Sequence, residues 1–123
     1  MISVWFEKKK GVEPKVLLPS PAFGPHATAL CAALDAVNVP ARILTSADDL
    51  LFELVRKNVY ILTINIAGLV TGGTVSELWR DHESFARAVA AEVIDIQGWL
   101  TGTPLSRERL IEGLLEAFAG DPE

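Results

Sequence analysis

Apolar positions along the chain fall first into short strand-like runs and then into longer helical stripes. Residues 2–6 read Ile-Ser-Val-Trp-Phe and stop at Lys8-Lys9-Lys10-Gly11, and residues 15–18 give a second β-type run closed by Pro19. That spacing predicts two strands joined by a polar turn. Pro19, Pro21, Gly24 and Pro25 make a rigid loop, and Pro25 suits the first turn of a helix, where its missing N–H is not needed. The helix predicted over 26–37 carries Ala27, Leu30, Cys31, Leu34 and Val37 at spacings of three and four, and Asn38 and Pro40 end it. A strand over 41–45 follows. Ser46 then opens a helix running to about Lys57, with a carboxylate three residues after the hydroxyl and Leu50, Leu51, Leu54 and Val55 on one side.

Residues 59–66 are β-branched and almost continuously apolar, the pattern of a central strand covered on both faces. Thr71-Gly72-Gly73-Thr74 turns the chain, and Thr74 with Glu77 forms a second capping pattern. The stripe Val75, Leu78, His82, Phe85, Val89, Val93, Ile96 and Leu100 predicts a helix over 75–100, continuous or broken near Asp81. After Thr101-Gly102-Thr103-Pro104, a last helix over 106–118 carries Leu110, Ile111, Leu114, Leu115 and Phe118. The order predicts one three-layer, Rossmann-like α/β domain over 1–123. It has about four strands, of which 15–19, 41–45 and 59–66 are parallel and the N-terminal one antiparallel, with two C-terminal helices.

Ligands of such a sheet bind beyond the carboxyl ends of its strands. The candidate ligand-binding residues are therefore Ser20 and His26 in the first loop and Thr71, Gly72, Gly73 and Thr74 in the third. The last four offer backbone N–H groups at the positive end of a helix, a geometry for a phosphorylated small molecule or nucleotide. Glycines at a strand-to-helix turn serve equally as plain structural turns. Val75 stands where a Walker lysine would, which argues against a P-loop. Thr71-Gly72-Gly73-Thr74 after an apolar run resembles the loop of the Rossmann-like domains that sense cyclic oligoadenylate in CRISPR systems. Residues 15–45, with Pro25-His26 where those enzymes have Gly-His, resemble in rhythm the first strand-loop-helix-strand of GT-B glycosyltransferases. A match of four residues, and one domain where two are needed, assign no family.

His82, centred on an apolar stripe, reads as a core or interface histidine, and Asp48 and Asp49 read as helix caps. No His-x-x-x-His, Cys-x-x-Cys or Asp-rich loop is present, so neither a metal nor another cofactor is expected, and no catalytic residue can be named.

Charge narrows the partners. Residues 1–58 carry 7 basic and 6 acidic groups, a balance of +1, and residues 59–123 carry 4 basic and 10 acidic, a balance of −6. An acidic half repels phosphate backbones, and Lys8 to Lys10 alone make no basic face, so no nucleic-acid partner is expected. The longest apolar stretch falls short of the ~20 residues a membrane span needs. The apolar residues precede the lysines at the N-terminus, the reverse of a secretory signal. Cys31 has no cysteine partner, which fits a reducing cytoplasmic setting. The helices over 75–118 hold more apolar face than a small sheet can cover. The expected function is a non-catalytic regulatory or assembly module, a homodimer or bound to a fixed protein partner, with Trp99 and Ile94 placed off the packed stripe. The alternative is a binding domain or small enzyme for a phosphorylated small molecule.

Overall fold

Ser46 starts a helix that the chain then lacks the residues to stop. Its hydroxyl accepts the Asp49 N–H at 3.1 Å, and from Ala47 to Thr71 there is no proline and one glycine, Gly68. In the computed structural model, which describes residues 1–120, the elements are β1 (Phe6–Glu7), β2 (Lys15–Val16), β3 (Ser20–Ala22), α1 (Ala27–Ala36), β4 (Ala41–Ile43), α2 (Ala47–Thr71), α3 (Val75–Asp81), α4 (Glu83–Thr101) and α5 (Arg107–Gly120). The chain is mostly helical, and the expected three-layer Rossmann-like sheet does not form. Among the described residues the strands make two small sheets, β1 with β2 antiparallel and β3 with β4 parallel.

The strand expected over 59–66 is the second half of α2. A continuous apolar run suits a buried strand and a buried helix alike, and here the missing stop signal decides. Val55, Val59, Tyr60, Thr63 and Ala67 are buried, whereas Ile61, Leu62 and Ile66 are partly exposed and Leu69 is 88% exposed. That is the period of a helix with one packed face. No single helix among the described residues is long and apolar enough to cross a membrane.

The residues fall into two compact units, Met1–Leu54 and the remainder from Val55 onward. In the first, a β-α-β crossover forms around α1 with its first strand at Ser20–Ala22, later than the expected 15–19; Ser20, Pro21 and Ala22 pair with Ala41, Arg42 and Ile43. The N-terminal segment lies on the other edge of β3, where Ile2 bridges Ala22 antiparallel and the Ser3 N–H donates to the Pro21 carbonyl at 2.9 Å. Pro21 is tolerated because its missing N–H lies on this short side of the strand, away from β4. Glu53, 6% exposed, accepts from Arg42 at 2.5 Å, and its carbonyl accepts the Ser3 hydroxyl at 3.5 Å.

In the second unit a buried guanidinium crosses a glycine. Arg56 donates through Nε to the Gly113 carbonyl at 3.1 Å and through a terminal nitrogen to Glu116 at 3.1 Å. A Cβ at position 113 would meet Arg56 Nε at 2.8 Å and Cδ at 3.0 Å, so only glycine lets the side chain lie there. Phe118 stacks on Trp79 at 5.0 Å and meets Tyr60 edge-on at 5.6 Å, and Arg87 sits 5.1 Å from the centre of the Trp79 ring. Ala67, Leu78 and Ala86 form a buried cluster beside them.

Two substitutions should separate packing from propensity. Gly113→Ala in an open helix would gain up to about 1 kcal/mol. Here it should instead lose about 1–3 kcal/mol by overpacking against Arg56, and a denaturant melt showing a gain would contradict this placement. The Thr63 hydroxyl is buried with no hydrogen-bond partner among the described residues. Thr63→Val should therefore raise stability by about 1 kcal/mol, measured the same way.

Candidate functional site

The sequence-derived ligand residues occupy unequal positions. Ser20 is fully buried, and its hydroxyl accepts the Trp5 N–H at 2.9 Å, which ties the N-terminal segment to β3. His26 is the exposed N-cap residue of α1, and its side chain makes no capping bond. Thr71 ends α2 with its hydroxyl donating to the Ala67 carbonyl at 3.2 Å. Gly72 and Gly73 follow in the left-handed region, at φ 68° and 79°. The Thr74 hydroxyl then accepts the Glu77 N–H at 3.2 Å while the Glu77 carboxylate accepts the Thr74 N–H at 3.0 Å.

The capping pattern read from the sequence is thus present, and it engages the N–H groups of Thr74 and Glu77. The loop follows a helix rather than a strand, so its likeness to a Rossmann-type phosphate loop ends at its four letters. The parallel sheet edge that was to gather Ser20, His26 and residues 71–74 does not form.

The remaining titratable groups are dispersed. The predicted helix over 75–100 breaks at His82, with φ −134°, so this residue is an exposed junction between α3 and α4 and not part of the core. Beside it Arg80 grips Asp81 through two bonds of 2.9 and 2.8 Å, which holds the Asp81 carboxyl below its ordinary range. Partial burial draws the Lys57 ammonium down. Among the described residues no group of three His, Cys, Asp or Glu side chains could share a metal ion.

The most distinctive surface is on α4. Part of the stripe expected to face a sheet is turned outward, with Ile96 56% and Leu100 63% exposed and Phe85 partly so, while Val93 of the same stripe is buried; Trp99, off that stripe, is 81% exposed. Ala86, Ala90, Val93, Ile94 and Gln97 are packed inward instead. The inward face is shifted by about one residue from the reading above because the neighbours are helices, and alanines allow helices to approach closely. Trp99 lies off the packed face as anticipated, whereas Ile94 is buried.

Where α4 ends, Gly102 takes the left-handed conformation at φ 64° and the chain turns into α5. This junction bounds an open groove of about 580 Å³ lined by Ile94, Asp95, Gly98, Trp99, Leu105 and Arg107 among others. Asp95 and Arg107 pair across it at 2.5 Å. The sequence signal for the groove was Gly98 and Gly102, four residues apart beside an off-stripe tryptophan.

No protein-family model, curated protein or solved structure matches this chain.

The glycines of the 68–74 segment give opposite expectations. Gly68 is helical with open space around a built Cβ, so Gly68→Ala should gain about 0.5–1 kcal/mol. Gly73 has φ +79° and a Cβ there would strike the Glu77 carboxylate, so Gly73→Val should lose about 1–3 kcal/mol. Thermal unfolding of the pair checks both signs.

Proposed function

We propose that the chain is a non-catalytic assembly module that joins polypeptides through the outward apolar face of its second unit. The observation that supports this reading is the outer side of α4, where Ile96, Trp99 and Leu100 lie close together in the sequence and exposed, with Phe85 partly exposed nearer the start of the helix. A monomeric surface scatters such residues singly, and a contiguous set marks a place of contact. Leu62, Ile66, Leu69 and Val70 continue the same theme on the outer side of α2. The acidic balance of the second half disfavours a nucleic-acid partner. A free, half-buried Cys31 fits a reducing, cytoplasmic setting.

Sedimentation equilibrium combined with binding of the hydrophobic dye ANS tests this. The purified chain should either sediment above the mass of one chain or, as a single chain, bind the dye at this face. Trp99→Ser should then weaken association by more than about 1 kcal/mol or reduce dye binding, while changing folding stability by no more than about 0.5 kcal/mol, as at a solvated position. A single chain that binds no dye would sink the reading.

A further inference from the structure

From Asn58 to Ser76 the chain carries no Asp, Glu, Lys, Arg or His. This run makes the second half of α2, the Thr71-Gly72-Gly73-Thr74 turn and the start of α3, which leaves α2 at an angle of 74°. Together the two helices hold a stretch as apolar as a membrane span, and the bend within it prevents a straight crossing. We propose, beyond the assembly reading, that this elbow lies in the interface of an electrically neutral lipid bilayer, with Leu69 and Val70 inserted at the edge of the acyl chains.

Apolar exposure on α2 rises toward the turn. Leu62 and Ile66 are partly exposed, Leu69 is 88% and Val70 71% exposed, and the four recur at helical spacing on one side. An apolar face that peaks where the chain turns is a projection, which suits a medium that yields around it rather than a fitted pocket. The backbone of the turn is also engaged from within. The Thr71 hydroxyl donates to the Ala67 carbonyl at 3.2 Å, the Gly72 N–H donates to the Gly68 carbonyl at 2.8 Å, and the Thr74 N–H is taken by Glu77. Polar backbone groups paired inside their own segment are what the edge of the hydrocarbon requires.

Charge decides between lipid and protein as the covering medium. On α4 the exposed apolar residues are interleaved with exposed Glu83, Arg87, Glu92 and Asp95, the charged surroundings of a protein contact. The exposed positions of the elbow hold no charge. Lys57, the nearest cation along α2, lies about 18 Å from Leu69 at 1.5 Å per residue. On α3 the Arg80 guanidinium is matched by Asp81, and the first charge after the run is the acidic Glu77. Nothing in the elbow attracts an anionic headgroup, so apolar burial alone holds it at the bilayer surface, about 5–10 Å deep.

Flotation of the full chain with lipid vesicles tests this. The chain should float with vesicles of phosphatidylcholine, and no better with vesicles of an equimolar mixture of phosphatidylcholine and phosphatidylserine. Leu69→Asp should melt at the temperature of the parent, because the position is exposed, and should partition at least about tenfold more weakly, because a charge replaces the inserted side chain. Leu69→Trp should float as the parent does, with its fluorescence quenched by brominated phosphatidylcholine beyond the quenching of the parent. Trp99→Ser, on the α4 face, should float unchanged, so that this proposal and the assembly reading fail separately. The lipid contact is overturned if the parent floats with neither vesicle, if it floats only with the anionic mixture, if Leu69→Asp floats equally well, or if Trp99→Ser alone abolishes flotation. Weaker self-association of Leu69→Asp, with no flotation of the parent, assigns the elbow to a protein contact instead.

Discussion

The uninterrupted backbone ladder of α2 is the constraint from which the rest of the structure follows. A helix satisfies its N–H and C=O groups within its own segment, whereas a central strand over 59–66 would need neighbours bonded on both sides. Once the Ser46 cap has nucleated the helix, each added residue brings one bond, and propagation runs to the first strong stop at Gly72-Gly73. The chain then has too little extended backbone left to build a large sheet. β3 and β4 are three residues each, and β1 and β2 two.

With no sheet to lie on, the helices of the second unit pack on one another, and side-chain size sorts their faces. α5 supplies bulk through Leu110, Leu114 and Phe118, and α2 adds Val59 and Tyr60. Arg56 lies over Gly113, which fixes the rotation of α5 about its own axis. Against these large side chains α4 presents Ala86 and Ala90, both fully buried. Of its larger apolar residues, Val93 and Ile94 are buried with them, and Phe85, Ile96, Trp99 and Leu100 are left toward the outside. The exposed stripe is therefore a consequence of how the interior is filled, and the same consequence makes it available for contact.

What was legible in the sequence was local. The Pro25 start of α1, the Ser46 cap, the Thr74–Glu77 box and the limits of α5 depend on residues within a turn of one another, and all appear near their expected places. What was not legible depends on neighbours distant in the chain. Residues 59–66 carry the same letters in a buried strand or a half-buried helix. The packed face of α4 is set by what lies opposite it, so Ile94 is buried although it sits off the apolar stripe. Ser20 in a proline-rich loop looks free to bind a ligand, and its hydroxyl is taken by the backbone of Trp5. Trp99 could be placed outside because the stripe itself excluded it, while its groove needed the turn at Gly102 to exist.

Glu53 gives the first unit an order of events during synthesis. The N-terminal segment bonds to β3, yet Arg42 and Ser3 are both tied to Glu53, at the far end of that unit. Roughly 30 residues separate β3 from this anchor, a translation time of about 2–6 s, through which β3 waits without its final surroundings. Before β4 follows it, β3 has an open edge, and an open edge is a template for another strand. Pro21 removes the N–H donor from the edge that faces the N-terminal segment, so a foreign strand cannot complete a ladder on that edge, while the native segment, which gives the Ser3 N–H to the Pro21 carbonyl, still bonds there. A proline that looks like a loop former in the sequence thus closes one edge of β3 to all but a strand that needs no donor there.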